Sequence, residues 1–200
     1  MKLKIYQIDA FTEKIFKGNY AAVIILEEWL DKKLMQNIAT ENNLSETAFA
    51  KKIIDNNYEI RWFSPITEID FCGHATLATA FVLFEENKEF EEIIFETKSV
   101  GKLCIKKLQN NYIEMIFPNR KPQKVENIPN ELLNGLSITP KEVYVNQQAY
   151  FAVYENENDV LNIKVDLEEI KKLAPRDVTI TSNSKNYDFI SRYFWPANGG

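Results

Sequence analysis

The sequence contains one histidine, His74, and it stands in FCGHATLATAFVLFEE, between Gly73 and a run of small and apolar residues. That run reads as a helix, and a helix start leaves backbone N–H groups unpaired and carries a partial positive charge. Gly73 lets a ligand approach the backbone closely. Together these features suit a carboxylate or a phosphate. An imidazole at such a place suits a neutral hydrogen-bonding role. Taken alone, a histidine that caps or packs a helix end is the commoner case.

Glu46 lies in NNLSETAF, where a helix gives way to a strand, flanked by Ser45 and Thr47. In a half-dry cleft a carboxylate so placed could serve as both acid and base. As one of 29 acidic residues it reads, on the sequence pattern alone, more simply as a solvated side chain. Cys72 adjoins the glycine; a thiolate at a helix start could be activated, although a small buried cysteine is more common. Cys104 falls inside a strand pattern and reads as core. One histidine and two distant cysteines do not make a spaced zinc motif, so no metal is expected. No GxGxxG or GxxxxGK[ST] pattern occurs, so no cofactor is expected either.

The elements that must position these residues can be read from periodicity and turn signals. Residues 2–11 read as a strand with Leu3, Ile5 and Ile8 turned inward, and 21–26 as a second strand after the Gly18-Asn19 turn. Asp31 is an N-cap candidate for a helix reaching Asn42 or Asn43, with Leu34, Met35, Ile38 and Ala39 on one face. Residues 45–54 and 58–63 read as a hairpin ended by Pro65. The run 75–84 is apolar apart from Thr76 and Thr79, the mark of a buried helix. Three strands follow, at 92–97, 100–108 and 112–117, before a proline-rich boundary over 118–129.

The second half echoes the first. Tyr150-Phe151-Ala152-Val153 repeats Tyr20-Ala21-Ala22-Val23 at an offset of 130, each followed by an acidic helix candidate, 31–43 and 166–173. Asn186-Tyr187 repeats Asn57-Tyr58, and Arg192-Tyr193-Phe194-Trp195-Pro196 repeats Arg61-Trp62-Phe63-Ser64-Pro65 at an offset of 131. Four echoes in one order point to two copies of an α/β unit, spanning 1–117 and 118–200. The counterpart of the His74 helix would fall beyond Gly200, so the second unit is expected to be incomplete, lacking its central helix.

Composition narrows the classes. Hydrophobic residues make up 45% and charged residues 26% of the 200, a globular mixture, and the formal charge of −5 argues against a nucleic-acid footprint. No apolar run reaches membrane-span length, so no membrane partner is expected. The first residues lack the apolar centre and cleavage site of a signal peptide; reduced cysteines and a cytoplasmic location are expected.

IYQIDAF, FKGNYAAV, LMQNIATENNLSETAF and RWFSPITEIDFCGHATLATAFVL together resemble the PhzF-like, phenazine biosynthesis-type family, and DFISRYFWP resembles its second-half pattern. The resemblance implies an α+β protein of the diaminopimelate epimerase-like fold: two pseudo-symmetric lobes, each a sheet wrapped round a central helix, with the active site in the cleft. It implies a cofactor-independent isomerase or epimerase acting on a small carboxylated substrate, and a homodimer. It implies Glu46 and His74 as catalytic residues, and Asn19, Ser45, Gly73, His74 and Ala75 as substrate-binding positions. Cys72 matches the position where amino-acid racemases of this fold carry a catalytic cysteine. Two departures stand out: Tyr20 replaces the usual proline after Gly-Asn, and the family's Asp-Pro-x-Thr-Gly-Ser loop, which would follow Pro196, is not in the sequence. The competing reading is a non-enzymatic binding or assembly module.

Overall fold

Residue alternation in three strands decides which helix covers which face of the first sheet. The computed structural model describes residues 2–117 and 119–198. The chain divides into two units, Met1–Phe117 and Pro118–Gly200.

The first unit contains β1 (Tyr6–Ala10), β2 (Asn19–Leu26), α1 (Lys32–Asn42), β3 (Thr47–Ile54), β4 (Asn57–Phe63), β5 (Glu68–Ile69), α2 (Gly73–Glu86), β6 (Glu92–Glu96), β7 (Lys102–Lys107) and β8 (Ile113–Met115). The eight strands form one sheet in the order β1-β2-β3-β4-β6-β7-β8, with β5 paired to β4. β2 and β3 are parallel, joined through α1, and β4 and β6 are parallel, joined through α2. Successive strand residues point to opposite faces. Val23, Ala48, Ala50, Ile60 and Trp62 therefore share one core with α2, while Ile24, Phe49 and Phe63 share the other with Met35 and Ala39 of α1. Phe49 and Phe63 meet edge to face, with ring centroids 5.5 Å apart. The small residues Ala21, Ala48 and Ala50 let α2 lie close to the sheet.

α2 touches β1, β2, β3 and β8, so the sheet curls round it. Eight of its 14 residues are buried. Its two threonines are buried too, and each is satisfied inside the helix: Thr76 Oγ1 donates to the Cys72 carbonyl and Thr79 Oγ1 to that of Ala75. The expectation of an all-round buried helix needs one correction. Phe81 is 43% exposed, because the sheet does not cover that side of the third turn. At about 1.5–3 kcal/mol for each large buried side chain, the remaining contacts make α2 a fixed platform for the residues at its start.

Other boundaries also shift. Pairing of β1 with β2 begins at Tyr6, so residues 2–5 have no strand partner, and Ile5 is 48% exposed rather than turned inward. Phe11, expected to close that strand, has a φ of 62° and turns the chain away. Leu34 is exposed, whereas Met35 and Ala39 carry the buried face of α1. Asp31 does cap α1, accepting from the Lys33 N–H. The β3–β4 turn is shorter than expected, with Asp55 at a φ of 45°. β7 begins at Lys102 rather than Val100 because Gly101 has a φ of +78°.

The second unit contains β9 (Gln123–Lys124), α3 (Asn130–Gly135), β10 (Glu142–Val145), β11 (Ala149–Val153), α4 (Glu157–Asn162), α5 (Leu167–Lys171), β12 (Asp177–Ser182) and β13 (Ile190–Phe194). Its five strands run in the order β13-β12-β11-β10-β9. β9 lies inside the proline-rich stretch that the sequence marked as a boundary. β10 to β13 repeat the directions of β1 to β4: antiparallel, parallel, antiparallel. The echo extends to register, since Arg61 sits opposite Phe49 and Arg192 opposite Ile180. The two arginines serve different ends. Arg61 grips the Glu68 carboxylate, and Arg192 donates to the carbonyls of Val160 and Ile163 at the end of α4. Among the described residues of this unit the α-helices have five or six residues each. No helix among the described residues of the chain is long and apolar enough to cross a membrane.

Candidate active site

Two local devices bring the candidate residues together. First, the segment before β3 is tied to β2. The Ala22 N–H donates to the Glu46 carbonyl at 3.0 Å, and Ser45 Oγ donates to the Tyr20 carbonyl at 3.1 Å. Second, α2 starts at Gly73 against the same end of the sheet, with Cys72 at the N-cap in an extended conformation. The Cys72 side chain makes no capping hydrogen bond, so no N-cap side chain occupies the N–H groups of the first turn.

The result is a cluster of Ser45, Glu46, Cys72 and His74. Glu46 is 3% exposed. His74 Nε2 lies 2.8 Å from Glu46 Oε2, yet Oε2 is a buried oxygen with no hydrogen-bond partner among the described residues. The short separation marks proximity and does not satisfy the carboxylate. A buried acceptor left unpaired costs about 1–3 kcal/mol, and such groups in folded proteins call for a reason.

The imidazole is held on both edges. Nδ1 lies 3.3 Å from Cys72 Sγ and Nε2 lies 3.3 Å from Ser45 Oγ. Burial, followed by the nearby Glu46 carboxylate, pushes the Cys72 thiol well above its ordinary pKa, while the backbone amides of Ala75 and His74 pull it back. The thiol therefore stays protonated and can donate to Nδ1. Ser45 Oγ, having given its proton to the Tyr20 carbonyl, is free to accept from Nε2–H. Both edges favour the same neutral tautomer, with the ring proton on Nε2. The activated thiolate weighed from the sequence is thus corrected: the helix start does not outweigh burial and the adjacent carboxylate.

Gly73 is the first residue of α2, and a Cβ there would meet only Phe71 Cζ, at 3.9 Å. Packing within the protein leaves room for a side chain at this position. Ala75 is fully buried, so what it can offer is its backbone N–H. Asn19, the exposed first residue of β2, makes no side-chain hydrogen bond among the described residues; it adjoins Tyr20, whose carbonyl anchors Ser45. The contacts thus unite Ser45, Glu46 and His74 with the α2 start, while no side-chain hydrogen bond among the described residues ties Asn19 to them. Sequence reasoning missed the carbonyl of Tyr20 as the anchor. Backbone pairing between β2 and the residues before β3 left no signal in side-chain pattern.

The sequence model of the PhzC-PhzF family, described as phenazine biosynthesis-like protein, matches residues 8–199. The uncharacterized isomerase PA2770 of Pseudomonas aeruginosa is 40% identical over the whole of this chain, which covers 75% of that relative. A crystal structure of a PhzF-family phenazine biosynthesis protein from Enterococcus faecalis shares 42% identity and a TM-score of 0.88, over 98% of this chain and 75% of that one. A hydroxyproline epimerase from Agrobacterium vitis, solved with trans-4-hydroxy-L-proline, matches 97% of this chain and 70% of its own at a TM-score of 0.53. At 9% identity that last likeness speaks for the fold alone, the diaminopimelate epimerase-like fold.

Proposed function

Because the chain belongs to the PhzC-PhzF family of phenazine biosynthesis-like proteins, we propose that it is an isomerase that moves a proton on a small carboxylated substrate, with Glu46 as acid and base. The observation that carries this reading is the unpartnered Glu46 Oε2, buried beside His74 at the start of α2.

Glu46 takes a proton from a carbon next to the substrate carboxylate or a conjugated system. It then delivers a proton, exchangeable with water while it sits on the carboxyl group, to another carbon, so the substrate is rearranged with no net gain or loss of atoms. The substrate carboxylate sits against the N–H groups of Gly73, His74 and Ala75, where the helix dipole favours negative charge. His74 donates from Nε2 to the substrate oxygen that gains charge as the proton leaves, which lowers the barrier most in a site that excludes water. Cys72 and Ser45 hold the imidazole in that tautomer. Asn19 lines the entrance. A homodimer and a cytoplasmic location complete the proposal.

Exchange of substrate hydrogen with deuterium oxide tests it. The protein is incubated with a panel of small carboxylic acids bearing an acidic C–H, and incorporation is read by mass spectrometry. Incorporation into at least one compound, abolished by Glu46→Gln, is the expected result. Incorporation by both proteins alike removes Glu46 from the reaction.

A further inference from the structure

Glu46, Cys72 and His74 each present one metal-ligating atom, and the three atoms lie within 4.8 Å of one another. We propose that they form a binding site for a borderline-soft divalent cation of the Zn²⁺ or Co²⁺ kind, and that its occupancy silences the catalytic carboxylate. The silencing rests on the isomerase reading; the binding does not.

Three features support the site. The donor set of thiol, imidazole and carboxylate is the set that Zn²⁺ prefers, and three protein ligands leave a fourth position for water. The 3.3 Å between Cys72 Sγ and His74 Nδ1 is close to the separation, about 3.5 Å, of two tetrahedral ligands at ordinary zinc–sulfur and zinc–nitrogen bond lengths, so Nδ1 would be the ligating nitrogen and the Glu46 carboxylate, now 2.8 Å from Nε2, would swing toward that edge to complete the set. Independently of both, Glu46 Oε2 is a buried oxygen in want of a partner, on a side chain only 3% exposed, and it lies in this cluster. No lysine or arginine pairs with Glu46 among the described residues, so a cation would meet an unneutralised carboxylate.

Binding replaces the Cys72 thiol proton with the metal and releases that proton to water, with no change of oxidation state. The Glu46 oxygen that would accept the substrate proton becomes a metal ligand, and His74 loses its freedom to turn toward the substrate. The site thus answers to free zinc as an off switch, and a chelator restores it.

Cobalt reports the ligands directly, because thiolate coordination to Co²⁺ gives an intense ultraviolet charge-transfer absorption. Metal-free protein is titrated with Co²⁺, alongside Cys72→Ser and Cys104→Ser. The expected result is one equivalent bound, with the thiolate absorption present in the wild type and in Cys104→Ser and absent in Cys72→Ser. No stoichiometric absorption, or one that survives Cys72→Ser, overturns the proposal. Should Cys72→Ser fail to fold, X-ray absorption of the zinc-loaded wild type decides: one sulfur at about 2.3 Å is expected, and a shell of nitrogen and oxygen alone overturns it. Deuterium exchange in chelator keeps the two readings apart. Exchange without metal binding sinks this inference only; metal binding without exchange sinks the isomerase reading and, with it, the silencing, and leaves the binding site standing. Zn²⁺ at one equivalent is expected to slow exchange at least about tenfold, the kinetic equivalent of about 1.4 kcal/mol.

Discussion

His74 Nε2 stands 2.8 Å from Glu46 Oε2, yet that buried oxygen has no hydrogen-bond partner among the described residues. The imidazole is engaged elsewhere, by Cys72 on one edge and Ser45 on the other. A packed protein interior ordinarily pairs such an oxygen. Here the two groups stand close while the carboxylate oxygen stays unsatisfied, which is what the proposed acid–base role of Glu46 calls for. Four predictions follow from this arrangement and from the scaffold that holds it.

Gly73→Ala separates ligand contact from folding. The added methyl meets nothing nearer than Phe71 Cζ at 3.9 Å, and alanine is the better helix former by up to about 1 kcal/mol. The melting temperature should hold or rise. The KM for substrate should rise about tenfold, equivalent to about 1.4 kcal/mol, because the methyl intrudes where the carboxylate approaches the helix start. An unchanged KM with an unchanged melt takes Gly73 out of substrate binding.

Gly18→Ala acts through the backbone. Its Cβ would sit 2.3 Å from the Ala10 carbonyl oxygen and 2.6 Å from Thr12 Cγ2. The carbonyl belongs to the end of β1, where Ala10 pairs with Asn19. We expect a loss of about 1–3 kcal/mol, read as a fall in melting temperature of about 2–4 °C per kcal/mol. Activity should fall with it, since Tyr20 two residues on anchors Ser45. A variant as stable as wild type would show that the β1–β2 connection can shift freely.

Glu68 supplies the pH test. The Arg61 guanidinium, bonded to both carboxylate oxygens, holds the Glu68 pKa down to about 2 from 4.5, with Lys32 adding to the effect. The folded-state value lies below the unfolded one. The stabilisation is therefore full above pH 4.5 and is lost as pH falls toward 2. The full shift is discounted for solvent around Lys32 and Lys98, giving about 1–2 kcal/mol at neutral pH. Glu68→Gln should lose that amount at pH 7 and show a flatter stability curve between pH 4.5 and 2. Parallel curves for the two proteins would mean that Arg61 gains nothing from the ionised partner.

Much of this was legible before any coordinates. The apolar run after His74 marks the central helix, Asp31 marks the cap of α1, and the echo of Arg61-Trp62-Phe63 in Arg192-Tyr193-Phe194 anticipates the matching strand directions. Resemblance to the family, rather than spacing, singled out Glu46 among so many acidic residues. What stayed hidden depends on partners distant in sequence. Ile5 and Phe11 have the pattern of a buried strand, but pairing with β2 starts at Tyr6 and ends at Ala10. From sequence Cys72 is either an activated thiol beside a helix start or, more commonly, a small buried cysteine; burial and Glu46, weighed against the first-turn amides, decide for the second. The anchoring of Ser45 by the Tyr20 carbonyl is a backbone fact that no side-chain pattern carries.

The most direct measurement is deuterium incorporation into a turned-over carboxylic acid by wild-type protein and by Glu46→Gln, in chelated buffer at equal concentration. Acid–base groups contribute about 100- to 10,000-fold to such reactions, and a loss of that size is predicted for Glu46→Gln, with its cooperative melt retained. Equal incorporation by the two proteins would contradict the account.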